Sequence, residues 1–549
     1  MKIDLRFLWL LTCAPLLACP EPAPADSETG TETAGDGDGD TGDGDGDGDS
    51  GDGDGDGDSG DGDGDAGDGD GDADVGPEIV SFTVNGATTP GLVNEASGVI
   101  IEAEITDPDM NLDYVVFERD GEQIAMFVTP GPNFVFEWVV SGQEFDGTYE
   151  FIAQAYDADD NMAVSDPVSV SIGMAEGGTE VEQWTHDGGN LDALYGLHVD
   201  HDGTSVTLTG QTTQNAESRQ RTDRVVGPAW TDKVEDASLF GAAVTRREDG
   251  GYFVAGTIPK PNDKLDSAIY SYDDAGTLLD SRTWNGTSQV ADDADNSIKM
   301  QAVPGGVVVL GAYYASGGPK PNNWLTYIRH YTDELDEEWT RFPTETLAGR
   351  IFAYDFAAAS DGSFVLVGGQ FDMMPIQPWI GMFDANGLVV DEIEINDFTG
   401  GVIHGVAIGE DGGIVVGGQV TVDGQARSWV RSYGADLTQG WEVDVPNVPL
   451  AIVAAVAVDP FGEVVTVATE NCETMGFRYV GCDLAVRKYD AEGVLMWEQT
   501  FATGQFLGPN LALLGFDASV AVDRFGYIYV TAIPETMAGT DWWARKLNP

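Results

Sequence analysis

The sequence predicts an all-β chain: a seven-bladed β-propeller closed by its N-terminal strand, with a small β-sandwich and a disordered Gly-Asp tether ahead of it. Three observations carry this expectation. A turn-and-strand unit recurs seven times between residues 180 and 549, six alternating segments of strand length lie between residues 77 and 175, and residues 35–74 hold 17 Gly and 18 Asp. The resulting division is 1–18, 19–76, 77–175 and 180–549.

At the N-terminus, Lys2 and Arg6 precede an apolar run from Phe7 to Leu17 that ends at Ala18-Cys19. A basic start, a short apolar stretch and a small residue before the break describe a secretory signal, too short to span a bilayer as a helix. The ending Leu16-Leu17-Ala18-Cys19 resembles the bacterial lipoprotein signal, the lipobox. That resemblance implies cleavage before Cys19, acylation of its thiol, and an exported chain held by a membrane lipid anchor. Pro20 and Glu21 follow the cysteine, with no Asp of the kind associated with inner-membrane retention, so an outer-membrane or cell-surface location is expected.

The Gly-Asp run cannot bury surface and carries dense like charge, so it reads as an extended tether. As a neutral Gly-rich coil, forty residues would span about 35 Å, and repulsion lengthens that. Its Asp spacing is similar to the start of an EF-hand loop. The Glu at the twelfth position and the flanking helices are missing, so the tether reading is preferred.

Segments 79–84, 99–105, 114–119, 134–140, 149–156 and 168–172 alternate in polarity and are separated by turn residues such as Asp120-Gly121 and Asp146-Gly147. Short strands at this density form a sandwich. The stretch from Asp146 to Asp157, with Tyr149 at the tyrosine-corner position, resembles bacterial Ig-like and fibronectin type III modules, which implies an Ig-like β-sandwich. Asp107, Asp109, Asp113, Asp157, Asp159 and Asp160 fall in its loops, where polar turns are the simpler reading and calcium the sharper one.

In the recurrent unit a Gly turn leads into an apolar strand that ends in small residues, as in Asp361-Gly362 into Phe364-Val-Leu-Val-Gly-Gly369. Successive turn glycines, from Gly203 to Gly526, lie 47, 55, 57, 50, 50 and 64 residues apart. Periods of this size, with about four strands each, define propeller blades. Third strands follow, clearest at 483–489 and 541–547, and fourth strands carry Trp284, Trp339, Trp441 and Trp497. These tryptophans read as packing between blades and not as sugar platforms. The seventh unit has three strands, and a spare strand, Val181 to Trp184, precedes the first; pairing the two removes a free edge. Segments 518–531 and 456–501 resemble bacterial propeller repeats of the SBBP type. With the lipobox and the tether, the whole is similar to the surface lipoproteins of myxobacteria, which implies display and binding and transfers no catalytic residue.

Charge narrows the function. The chain carries 95 acids against 25 bases, a net −70, and −49 of that belongs to residues 78–549. Nucleic acid and anionic membrane surfaces are excluded as direct partners, because both need a basic footprint. Of the four cysteines, Cys472 and Cys482 survive processing unmodified; ten residues apart in an oxidising compartment, they predict a loop-closing disulfide. The long second-to-third-strand loops carry Lys260, Lys320, Met373, Met374, Phe477, Arg478 and Tyr479 as candidate contacts for a protein or glycan. Asp292, Asp293 and Asp295 are weak calcium candidates; no other metal or cofactor is expected. His198 with Asp200, and His404, sit in or beside inner strands, and a channel funnel uniting them would favour a hydrolase or lyase. No G-x-S-x-G, H-E-x-x-H or Walker loop is present. The expectation is a lipid-anchored binding protein, against a propeller enzyme or an envelope spacer without ligand.

Overall fold

A computed structural model of the chain describes residues 75–128, 131–186, 192–214, 217–226, 233–235, 241–259, 265–284, 295–315, 323–343, 351–370, 375–445, 451–475, 478–507, 518–536 and 539–549. These residues are all-β apart from isolated turns of helix. The segments expected to be a signal and a tether, with Cys19, lie outside them.

Two antiparallel sheets occupy residues 78–172. One pairs Ser97–Thr106 with Glu78–Val84 on one side and Asn133–Val140 on the other. The second runs Glu122–Phe127, Leu112–Arg119, Gly147–Asp157, Met162–Val164, with Val168–Ile172 also on Gly147–Asp157. Successive side chains on a strand point to opposite faces. On Ser97–Thr106, Val99, Ile101, Ala103 and Ile105 therefore turn inward while Glu102 and Glu104 face water. Phe82, Phe117, Phe134 and Phe151 fill the space between the sheets. Glu122–Phe127 and Met162–Val164 were not expected as strands. Both are half-exposed edges, so neither has the alternation that marks a buried strand. Tyr149 does not form the corner its position suggests. Its ring packs edge-on against Trp138 at 4.8 Å and beneath Arg119 at 5.6 Å, and its hydroxyl makes no hydrogen bond among the described residues.

Residues 180–549 form repeated antiparallel sheets, seven among the described residues, most of them four-stranded. Their first strands are Ala193–Val199, Gly241–Arg246, Asp295–Val303, Ile351–Ala358, Gly400–Ile408, Ile452–Val458 and Ala518–Val522. Each first strand lies beside the first strand of the next sheet, and Ala518–Val522 lies beside Ala193–Val199. The last sheet takes its outer strand from the other end of this region: Glu180–His186 pairs antiparallel with Trp542–Leu547, Gln183 opposite Arg545.

Packing between successive sheets uses the tryptophans of the outer strands. Trp339 stacks on Phe364 of the following sheet, and Trp284 leans on Tyr327 at 4.2 Å. Trp441 covers Tyr489, and its indole N–H donates to the carbonyl of Ala491 at 2.9 Å. The turn glycine beside it, Gly493, has φ +82, and a Cβ there would come within 2.6 Å of the Trp441 ring. Gly387 meets Trp339 in the same way. In the corresponding turns of two other sheets Leu335 and Leu437 hold positive φ instead, and their side chains are buried. That burial offsets a conformation that disfavours a side chain.

Candidate functional site

The innermost strands share a local irregularity. Six of them carry a register shift at matching positions, which singles out Tyr195, Ala242, Ile298, Tyr354, His404 and Ala454. Such a bulge re-aims the side chains that follow it. The next residue is Gly196, Ala243, Lys299, Asp355, Gly405 or Ala455, small in four sheets and charged in two neighbours. At Gly196 and Gly405 a Cβ would come within 2.9 Å of the next sheet's backbone, which explains the small residues.

These strands enclose a central cavity of about 330 Å³. Its wall is uneven in chemistry. His198, Thr245, Lys299, Gln301 and Asp355 supply most of the polar part from the first four sheets, Ser519 adds a hydroxyl from the seventh, and Ala407, Val456 and Val520 belong to the small or apolar remainder. Several polar groups tie one sheet to the next. Thr245 Oγ1 accepts from the backbone N–H of Ala302 at 3.2 Å, Gln301 Oε1 from Ala358 at 2.8 Å, and Asp355 Oδ2 from Val406 at 3.1 Å. Lys299 Nζ stands 4.0 Å from Asp355 Oδ1. Burial pushes the Asp355 carboxyl up, and the Lys299 charge works against that shift.

The two histidines expected near the channel do not converge. His198 lines the cavity, and its Nε2 is 3.2 Å from Asp200 Oδ1. Burial and the charge of Arg246 push His198 down to about 4, so it is neutral near pH 7, with Nε2–H donating to the carboxylate. Asp200 is also ion-paired with Arg246, so the pair is a link between the first two sheets as well as a feature of the cavity. His404 is buried, its ring 5.0 Å from that of Tyr354, and is not part of the cavity wall. Burial brings it down to about 4.

The sixth sheet departs from the others. Its third and fourth strands, Arg478–Tyr489 and Leu495–Leu507, run 12 and 13 residues. The other strands of the seven sheets run 10 residues or fewer. The extension carries a hairpin in which Glu473, Thr474 and Met475 pair with Val480, Tyr479 and Arg478. At its base Cys472 and Cys482 form the predicted disulfide, both buried. Beside it, Arg487 donates to both oxygens of Glu470 and to Glu498 Oε2 at 2.7 Å. Two carboxylates around one guanidinium raise its already high pKa.

Of the other candidates, Lys260, Lys320, Met373, Met374, Phe477, Asp292 and Asp293 lie outside the described residues. Arg478 and Tyr479 are placed by backbone pairing in the stapled hairpin, and Asp295 opens its strand opposite Tyr313. In the two sheets of residues 78–172, Asp157 Oδ1 accepts from the backbone of Asp159 and Asn161, and Asn111 Nδ2 donates to Asp159 Oδ2 at 2.8 Å. Loop geometry therefore uses acids that were candidates for calcium. Among the described residues no group of three or more His, Cys, Asp or Glu is arranged to hold a metal. No described helix is long and apolar enough to cross a membrane. The sequence did not reveal Lys299, Gln301 or Asp355: each lies in an ordinary strand segment, and only the six matching bulges show that Lys299 and Asp355 stand where the other sheets place Gly or Ala.

No family model and no curated protein matches the chain. Solved structures do. The propeller domain of the Trilobed protease from Pyrococcus furiosus is 9% identical, covers 77% of this chain and 98% of its own, and gives a TM-score of 0.34. Sqt1 from Chaetomium thermophilum is 12% identical over 65% of this chain and 82% of its own, with a TM-score of 0.38. Fibronectin(III)-like modules of CbhA from Clostridium thermocellum are 24% identical over 18% of this chain and 98% of theirs, with a TM-score of 0.13.

Proposed function

We propose that this chain is an exported binding protein, anchored by an acylated Cys19 and held off the membrane by the Gly-Asp tether. In this reading residues 77–175 are an Ig-like module and residues 180–549 a seven-bladed propeller closed by Glu180–His186. The observation that carries the binding role is the stapled hairpin of the sixth sheet. Its strands extend beyond the length that sheet packing uses elsewhere, and a disulfide closes its base. A pre-ordered projection loses little entropy on binding, and a structural disulfide belongs to an oxidising compartment. Phe477, Arg478 and Tyr479 are the contacts, because aromatic and Arg side chains dominate binding energy in interfaces. Lys260, Lys320, Met373 and Met374 fall between second and third strands in the sequence, as the hairpin does, and are the further candidate contacts for a protein or glycan. Basic partners and cations suit the remaining −49; Asp292, Asp293 and Asp295 offer a place for calcium.

The enzymatic alternative loses its clearest support with His404 buried away from the cavity and Asp200 engaged by Arg246. The test is a comparison of the mature chain with Phe477→Ala/Tyr479→Ala in a pulldown from envelope extracts and on a glycan array. Loss of a specific ligand in the variant supports the reading; equal capture by both proteins refutes the hairpin as the contact. For the anchor, Cys19→Ala releases the protein from membranes, and persistence there refutes acylation.

A further inference from the structure

We infer that the central cavity is a second site, separate from the loop surface, and that it binds a small zwitterion of the α-amino acid class. The starting point is the uneven use of one repeated position. After each inner bulge four sheets place Gly or Ala, and two adjacent sheets place Lys299 and Asp355. Small residues suffice to join the other sheets. A half-buried ion pair is a weak stabiliser, since desolvation opposes the Coulomb gain, so stability does not explain the exception.

The pair is also incompletely made. Among the described residues the Lys299 ammonium has Asp355 as its one ionic partner, at 4.0 Å, beyond hydrogen-bond length. Lys299 lines a cavity that is also bordered by polar groups with hydrogen-bonding capacity to spare. Gln301 follows on the same strand face and uses Oε1 to accept from Ala358, which leaves its amide hydrogens. Thr245 accepts at Oγ1 from Ala302 and keeps its own O–H to donate.

A cation and a carboxylate side by side complement a ligand carrying the reverse pair. A ligand carboxylate on Lys299, assisted by Gln301 and Thr245, sets its ammonium against Asp355. The protein's net charge selects the same class, because a −70 chain repels multiply charged anions and leaves a neutral zwitterion unpenalised. The cavity, about 330 Å³, lies at the lower end of the range of ligand pockets, about 300–1,000 Å³. That size suits an amino acid better than a peptide or nucleotide. The wall of Ala407, Val456 and Val520 receives its side chain.

The experiment is ligand-observed NMR and calorimetry on the mature chain carrying Cys19→Ala, with single L-α-amino acids, acetate and methylammonium as probes. Saturable binding is expected for at least one amino acid, and none for acetate or methylammonium at the same concentration. Asp355→Asn retains an oxygen for the Val406 N–H and removes the charge; it weakens binding about tenfold or more with the melting temperature unchanged. Lys299→Met does the same from the other side. The inference is overturned if no amino acid binds at millimolar concentration, if acetate binds as well as the amino acids, or if both variants bind like the parent. Each outcome is independent of Phe477→Ala/Tyr479→Ala, which leaves the cavity intact.

Discussion

The imidazole of His404 occupies the bulge of its inner strand, against the Tyr354 ring, with Nδ1 buried and without a hydrogen-bond partner. A proton there would place a charge among apolar groups, and its pKa falls to about 4 as a result. The unfolded chain takes up that proton near the ordinary value, so the folded state binds fewer protons between the two. Stability from this group is complete above about pH 6.5 and is lost as pH falls toward about 4, on the order of 3 kcal/mol in all. His404→Phe keeps the ring contact and should flatten this part of the stability-pH curve, as read by urea unfolding at pH 7 and pH 4.5. An unchanged slope would mean that His404 is hydrated. Residues of this kind were only partly legible. The sequence placed His198 and His404 near inner strands, but side-chain direction at a bulge depends on the pairing partner, which no local pattern records.

Among the elements, the outer turns and the tryptophans behave as one joint. Gly493 combines a positive φ with a ring where its Cβ would be. Gly493→Ala is expected to cost about 1–3 kcal/mol in thermal or denaturant unfolding. Gly424 also has a positive φ but open space around it, so Gly424→Ala should show the backbone cost without the clash. The stapled hairpin yields a second expectation. Removing the bridge with Cys472→Ala/Cys482→Ala costs about 2–4 kcal/mol, and limited proteolysis should then cut first within residues 473–480. Cleavage there at the parental rate would mean the bridge does not order the hairpin. The Asp-Gly turns and alternating strands were readable because glycine and a period of two are local signals. The edge strand Glu122–Phe127 was not, since half-exposed side chains blur the alternation. Nor were the turns at Leu335 and Leu437, where burial replaces glycine's freedom.

For the whole molecule, seven sheets follow one another through their inner strands and return to the start, and the last is completed by Glu180–His186. The spare strand and the three-stranded final unit make this pairing legible in the sequence alone, because an unpaired edge has to be covered. The contact between residues 78–172 and the repeated sheets is not legible there. Arg524 donates to Glu137 at 2.8 Å, Ala96 packs into the cluster around Tyr527 and Trp542, and the Gly177-Gly178 link passes Trp497 and Pro549. The β-sandwich thus rests on the sheet that receives the closing strand. Hydrogen exchange measures that closure without altering a residue. If the strand pairing closes the ring, amides of residues 180–186 exchange as slowly as those of 542–547 and lose protection together with them in rising urea. Fast exchange of 180–186 while 542–547 stay protected would contradict it.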